Sequence, residues 1–312
     1  MPRTSTVTLR AFRCWTAVVA WVVLATCWGT AFAQGPEGAL AGTLLKARAS
    51  GEVAIGYREA SIPFSYLSAR GEPIGYSIDI CRAIVDAMST EVGRDLVIKW
   101  VPVTPENRIR AVTGGQVDLE CGSTTSNVER KKVVDFSPVI FVAGTKLLVK
   151  KGSPIKSFRD LAGRSVVVTA GTTNESALRD LVAKFKLNTT IVAGRDHGDS
   201  YAQLVEGKVD AFATDDVLLY GFIALNRAQD QLTVVGDFLS YDPYGIMFRK
   251  DDPQLASLVV KTLHDLAASR ELELTYNKWF LRQLPTGQRL NLPMSVQLTE
   301  MIRIMGGDAA TQ

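Results

Sequence analysis

Short runs of β-branched residues alternate with amphipathic stretches twice along this chain, and that double alternation restricts it to α/β architecture with mostly parallel sheets. In the first set, residues 53–57 read as a strand, 78–88 as a helix with apolar residues at helical spacing, and 96–101 as the next strand. Thr104-Pro105-Glu106 then reads as a helix start with Thr104 as N-cap and Pro105 in the first helical position, followed by a strand over 117–121. The second set begins at Arg164, with strands 165–169, 190–193, 211–213 and 232–236 between helices 175–185, 200–206 and 217–225. Two units of one plan imply two lobes. Residues 141–148 and 241–248 are apolar and extended, which suits two crossings that leave lobe 1 and return to it as a hinge. A last helix is expected over 254–280.

The N-terminus has the layout of a secretory leader. Arg3, Arg10 and Arg13 come first, an apolar run over 15–28 follows, and Ala31-Phe32-Ala33 supplies small residues for cleavage. The uncharged stretch 14–33 is about long enough to span a bilayer, so the cleavage signature decides for removal over a membrane anchor. The mature chain is expected to begin near Gln34. Leu24-Ala25-Thr26-Cys27 faintly resembles a lipobox, and lipidation at Cys27 is the alternative processing. The expected organisation is a leader over 1–33, lobe 1 over 34–143, lobe 2 over 144–243, a return to lobe 1 over 244–285, and a C-terminal tail over 286–312.

Removing the leader takes away three arginines and no acid, so the formal charge of +3 falls to zero. A neutral mature surface excludes nucleic acid and an anionic membrane as partners, since both call for clustered Lys and Arg. Four cysteines fall to two, Cys81 and Cys121. Either they pair in an oxidising compartment or they serve as small buried hydrophobes; their surroundings, an apolar helix and a strand end, favour two buried thiols. The chain has no CxxC and no HExxH, and His197 and His264 lack a second ligand at useful spacing, so no metal and no cofactor is expected.

Charged and hydroxyl residues collect just after the strands, where parallel sheets bind ligands and where helix N-termini offer free N–H groups to anions. After residues 117–121 comes Ser123-Thr124-Thr125-Ser126-Asn127-Val128-Glu129-Arg130. Ser126 and Glu129 read as a capping box that sets Arg130 one turn inside a helix. Arg130 is suited to meet a carboxylate with two charge-assisted hydrogen bonds. In the second lobe, Gly171-Thr172-Thr173-Asn174-Glu175 repeats the box with Thr172 and Glu175, leaving Thr173 to offer an amide and a hydroxyl. Thr214-Asp215-Asp216 opens a third helix. Either Asp there serves as an ordinary N-cap, or Asp215 faces the cleft and accepts from an α-ammonium.

Cys121-Gly122-Ser123-Thr124-Thr125 with Val128-Glu129-Arg130, residues 160–164 running through Gly171-Thr172-Thr173, and residues 196–200 resemble the periplasmic glutamate/aspartate-binding proteins of ABC transporters, over about 51–280. Arg58-Glu59 and Asn107-Arg108 narrow the resemblance to the branch with acidic ligands. It implies a two-lobed, periplasmic-binding-protein-like fold of type II, each lobe a mostly parallel sheet flanked by helices, joined by two hinge crossings. It also implies a periplasmic monomer that passes an acidic amino acid to an inner-membrane ABC permease and catalyses nothing. Arg130, Ser123, Thr125 and Thr173 match positions that hold the α-carboxylate, and Asp215 the one that takes the α-ammonium. Arg58, Arg108 and His197 match positions near the side-chain carboxylate. One departure is Pro105, where the pattern has a serine; proline has neither N–H nor hydroxyl, so one side-chain contact is lost or passes to Thr104.

Charge counting over these residues agrees. Arg58, Arg108 and Arg130 against Asp215 leave +2 before His197, suited to a guest with two carboxylates. A sensor and a dehydratase-type enzyme on the same scaffold are the alternatives, but no nucleophile with a base and no signalling domain is evident.

Overall fold

Val53 and Ile55 are wholly buried in the strand that founds the first sheet, which is why that short run tolerates no polar residue at either position. A computed structural model describes residues 39–308. The leader, the start near Gln34 and Cys27 lie outside the described residues. Lobe 1 opens with helix α1 (Gly42–Ser50) and strand β1 (Glu52–Tyr57), followed by a small sheet of β2 (Ala60–Ser61), β3 (Ser65–Leu67) and β4 (Pro73–Ile74). Helix α2 (Tyr76–Val92) then buries Ile80, Cys81, Ile84, Val85 and Met88 along one stripe, the helical spacing read in the sequence. Strand β5 (Val97–Pro102) and strand β6 (Leu119–Glu120) flank β1, both parallel to it, with α3 (Arg108–Thr113) between them in sequence. Strand β7 (Val134–Phe136) completes the part of this sheet that precedes the first crossing.

The crossing is β8 (Phe141–Ala143), which runs directly into β9 (Thr145–Lys150) of lobe 2. There β10 (Ser165–Thr169), α4 (Thr173–Phe185), β11 (Thr190–Gly194), α5 (His197–Val205), β12 (Ala211–Asp215), α6 (Asp216–Leu225) and β13 (Leu232–Val235) follow. β10 pairs in parallel with both β11 and β12, while β9 is antiparallel to β12 and β13. Val166 and Val168 pack on one face of the sheet and Val167 on the other, so the uninterrupted valine run fits a strand covered on both sides.

The return crossing, β14 (Asp242–Tyr244), lies antiparallel against β8 with Asp242 opposite Ala143 and Tyr244 opposite Phe141. β15 (Met247–Arg249) then inserts between β6 and β7 of the first sheet. The two crossings therefore sit side by side, the arrangement expected of a hinge. Phe141 and Tyr244 enter an aromatic cluster with Phe64, Tyr276 and Phe280, at centroid distances of 5.0 Å for Phe64–Tyr244 and 5.0 Å for Phe141–Phe280. Such packing seats the crossings in lobe 1.

Four expectations need correction. Cys81 and Cys121 are buried as expected, but they form a disulfide with Cα atoms 6.3 Å apart, because α2 lies across the end of β6. The helix expected at Thr104 begins at Arg108; Thr104 and Asn107 instead close a turn, Thr104 Oγ1 accepting from the Asn107 amide (3.2 Å) and Asn107 Oδ1 from the Thr104 amide (2.9 Å). The last helix breaks into α7 (Pro253–Ala268) and α8 (Glu271–Tyr276) at Arg270, whose φ of 64° is incompatible with a continuous helix. Residues 286–308, read as a tail, carry helix α9 (Val296–Asp308), which packs on α7 and buries Leu298, Ile302 and Met305. Among the described residues no helix is long and apolar enough to cross a membrane.

Candidate functional site

The carboxyl end of β1 delivers Arg58, the loop after β6 delivers Ser123, Thr125 and Arg130, and α3 begins with Arg108; all five are buried. From lobe 2, the loop after β10 leads to Thr173 at the first position of α4, α5 begins with His197, and β12 ends on Asp215. These eight groups come from strand ends, helix starts and the loops between them, where parallel strands of α/β sheets present ligand-binding groups.

Arg130 spans the two lobes. Its Nη1 donates to the Thr125 carbonyl at 2.8 Å and its Nη2 to the Gly171 carbonyl at 3.4 Å. The predicted helix around it is a single 3-10 turn, Arg130–Lys132, because Asn127 Oδ1, not a Ser126 box, caps the Arg130 amide (2.9 Å). In lobe 2 half of the expected box forms: Thr172 Oγ1 accepts from the Glu175 amide, but Glu175 Oε2 accepts from the Gly171 amide and not from that of Thr172. Gly171 has φ +74°, and a Cβ there would come within 2.8 Å of the Glu106 Cα in lobe 1. The lobes meet backbone to backbone at this point.

Arg108 donates from Nη1 to Thr124 Oγ1 (2.7 Å) and to the Ser123 carbonyl (3.4 Å), and Thr124 Oγ1 donates in turn to Glu120 Oε2 (2.6 Å). Arg58 is 1% exposed. Burial and the neighbouring Arg108 lower its pKa to about 9, with Glu120 opposing. Burial and Arg108 likewise bring Arg130 down to about 9. Both stay charged at neutral pH. Arg58 Nη1, Arg108 Nε, Ser123 Oγ and Glu120 Oε1 have no hydrogen-bond partner among the described residues. Buried polar atoms of this kind, donors on Arg58, Arg108 and Ser123 and an acceptor on Glu120, are costly unless something supplies a partner.

His197 shares a hydrogen bond between Nδ1 and Thr169 Oγ1 at 2.9 Å. Burial first, then Arg58 and Arg108, hold it well below the ordinary range, so it is a neutral imidazole. Asp215 occupies the N-cap position of α6 without capping it. Its carboxylate accepts instead from Asn174 Nδ2 (2.8 Å) and from the Tyr244 hydroxyl. Burial, and then Asp242, raise its pKa to about 7 against those two hydrogen bonds.

The eight residues anticipated from the sequence thus converge between the lobes, and four more join them unanticipated: Glu120, Asn174, Asp242 and Tyr244. Glu120 left a signal, since an acid inside a strand whose neighbours are all buried must find a partner. Asp242 and Tyr244 left none, as they reach the cleft only because the return crossing pairs with β8. The charge count changes with them. Three guanidinium groups face three carboxylates, Glu120, Asp215 and Asp242, so the excess of +2 is not a property of the whole cluster. What the cluster retains is a set of unpartnered buried donors, on Arg58, Arg108 and Ser123.

The family model for bacterial extracellular solute-binding proteins, family 3, matches residues 53–282. The chain is 44% identical over 276 residues to an L-glutamate/L-aspartate-binding protein of Pseudomonas aeruginosa, covering 88% of this chain and 91% of that one. A glutamate/aspartate import solute-binding protein of Escherichia coli is 41% identical over 291 residues, 93% of this chain and 94% of its own. Among solved structures, a mutant of ArgBP from T. maritima is similar at a TM-score of 0.68 and 26% identity, covering 77% of this chain and 100% of that one. An ancestral amino acid-binding protein, described as a precursor of cyclohexadienyl dehydratase, reaches 0.66 and 30% identity over 76% of this chain and 99% of its own.

Proposed function

This chain belongs to the bacterial extracellular solute-binding proteins of family 3, and we propose from that premise that it is the periplasmic binding component of an ABC importer for L-glutamate and L-aspartate. The observation that carries the acidic ligand is the pair Arg58 and Arg108, both buried, each with an N–H lacking an acceptor. A side-chain carboxylate supplies an acceptor to both; a neutral or cationic side chain leaves at least one of these buried N–H groups without a charged acceptor. Ser123 adds an unpartnered hydroxyl on the α-carboxylate side.

In this reading Arg130, Ser123, Thr125 and Thr173 take the α-carboxylate and Asp215 the α-ammonium. His197, neutral beside two arginines, offers a hydrogen bond to the side-chain carboxylate and no additional charge. Pro105 is buried in the turn before α3, and Thr104 Oγ1 accepts from the Asn107 amide, which leaves its hydroxyl proton free to take over the side-chain contact that Pro105 cannot make. Ligand joins one lobe first and the second closes over it, because contacts to both lobes exist only in the closed form. The protein works as a monomer that docks on an inner-membrane permease and performs no reaction.

A thermal-shift panel of the common amino acids, run on protein refolded to strip carried ligand, tests the reading. Glutamate or aspartate at 100 times its dissociation constant is expected to add about 2.7 kcal/mol of stability. A response to arginine or glutamine with none to either acidic amino acid would overturn it, and turnover of a carboxylated ring substrate would revive the enzyme reading.

A further inference from the structure

Asp242 sits on the return crossing and is 2% exposed. One of its oxygens, Oδ1, accepts from Thr125 Oγ1 of lobe 1 at 3.2 Å and from Thr173 Oγ1 of lobe 2 at 2.8 Å. The two hydroxyl oxygens are themselves 3.2 Å apart. The other oxygen is held by the Ser240 hydroxyl, whose Oγ also meets Thr145 Oγ1 at 2.7 Å, so the carboxylate is fixed in place from the hinge side. A single carboxylate oxygen therefore bridges the lobes from the segment that joins them.

A threonine hydroxyl has one proton to donate. A proton given to Asp242 is not available to a second acceptor. Thr125 and Thr173 are two of the four residues to which the α-carboxylate of the ligand is assigned above, so the protein already presents a carboxylate to half of that subsite. We propose that Asp242 is an internal counterpart of the ligand's α-carboxylate: it latches the two lobes together before ligand arrives, and it yields both hydroxyl protons when the ligand binds. The latch itself rests on the hydrogen bonds of Asp242 alone; the competition with ligand rests on the proposed function. Arg130, the remaining cross-lobe group, feels Asp242 as a favourable charge, which places the carboxylate on the anion-binding side of the cleft. The competition lowers affinity, because the binding-competent arrangement of the hydroxyls is only part of the population before ligand arrives.

Asp242→Ala and Asp242→Asn test this, the second keeping the shape and one acceptor while removing the charge. Small-angle X-ray scattering of the ligand-free proteins is expected to show D242A more open than the parent and D242N between them, with all three equally compact when saturated with glutamate. Calorimetry is expected to show glutamate binding D242A about tenfold more tightly, the size of one charge-assisted hydrogen bond no longer contested. Unchanged ligand-free scattering in both variants, or weaker glutamate binding, would overturn the proposal and make Asp242 a support of the ligand subsite. Should the parent protein bind neither acidic amino acid, the proposed function fails, while the ligand-free scattering still decides whether the latch exists.

Discussion

Tyr244 on the return crossing donates its hydroxyl to Asp215 at the end of a lobe 2 strand, so the hinge itself touches the carboxylate assigned to the ligand's ammonium. Asn174 completes the clasp from the first turn of α4.

The raised pKa of Asp215 sets a pH dependence. An acid with a folded-state pKa of about 7 and an ordinary value near 4 binds more protons folded than unfolded between those limits, so it lowers stability as pH rises through that window. His197, depressed in the folded state, acts in the opposite sense below its ordinary value near 6.5. Asp215→Asn isolates the first effect. Its gain in Tm over the parent should widen from pH 4 to pH 7, by roughly a few kcal/mol in stability. A constant gain across that range would show that Asp215 is already ionised.

Ligand binding should read the same group. An ammonium ion favours ionised Asp215, so binding of glutamate at pH 6 is expected to release a proton, seen by calorimetry as an enthalpy that varies with the ionisation heat of the buffer. D215N should lose both the proton release and most of the affinity.

Arg58 and Arg130 should separate by selectivity. Arg130→Ala removes a group common to every amino acid and should weaken binding of all of them by about 100-fold. Arg58→Met should reduce the advantage of glutamate over glutamine by a similar factor, while raising the ligand-free Tm, since a buried guanidinium with an unpartnered N–H is replaced by an apolar side chain. Equal losses for glutamate and glutamine in the Arg58 variant would remove it from the side-chain subsite.

Gly171→Ala tests closure directly. Its Cβ would lie 2.8 Å from the Glu106 Cα across the cleft, and its φ of +74° adds backbone strain, so the lobes should be held apart. Glutamate affinity should fall at least about tenfold with ligand-free scattering more open than the parent.

The Cys81–Cys121 disulfide closes a separation of 40 residues. Loop-closure entropy for that length corresponds to about 4 kcal/mol, so dithiothreitol, or the double change to alanine, should lower the Tm by several degrees. An unchanged Tm on complete reduction would contradict a stabilising role.

The sequence alone determined the two α/β units and marked Arg130, Thr173 and Asp215 after strand ends as candidates, while Arg58 and Arg108 became candidates only through the family resemblance. Strand and helix periods are local, and a chemically demanding loop after a strand is visible within a few residues. Only the tertiary structure decided that Cys81 pairs with Cys121, that a helix within 286–308 folds back on α7, and that Glu120 and Asp242 cancel the positive charge counted from the sequence. Asp242 and Thr125 are separated by 117 residues, and no pattern within either neighbourhood specifies the other. Their meeting follows from two crossings pairing edge to edge, and with it the charge balance of the site.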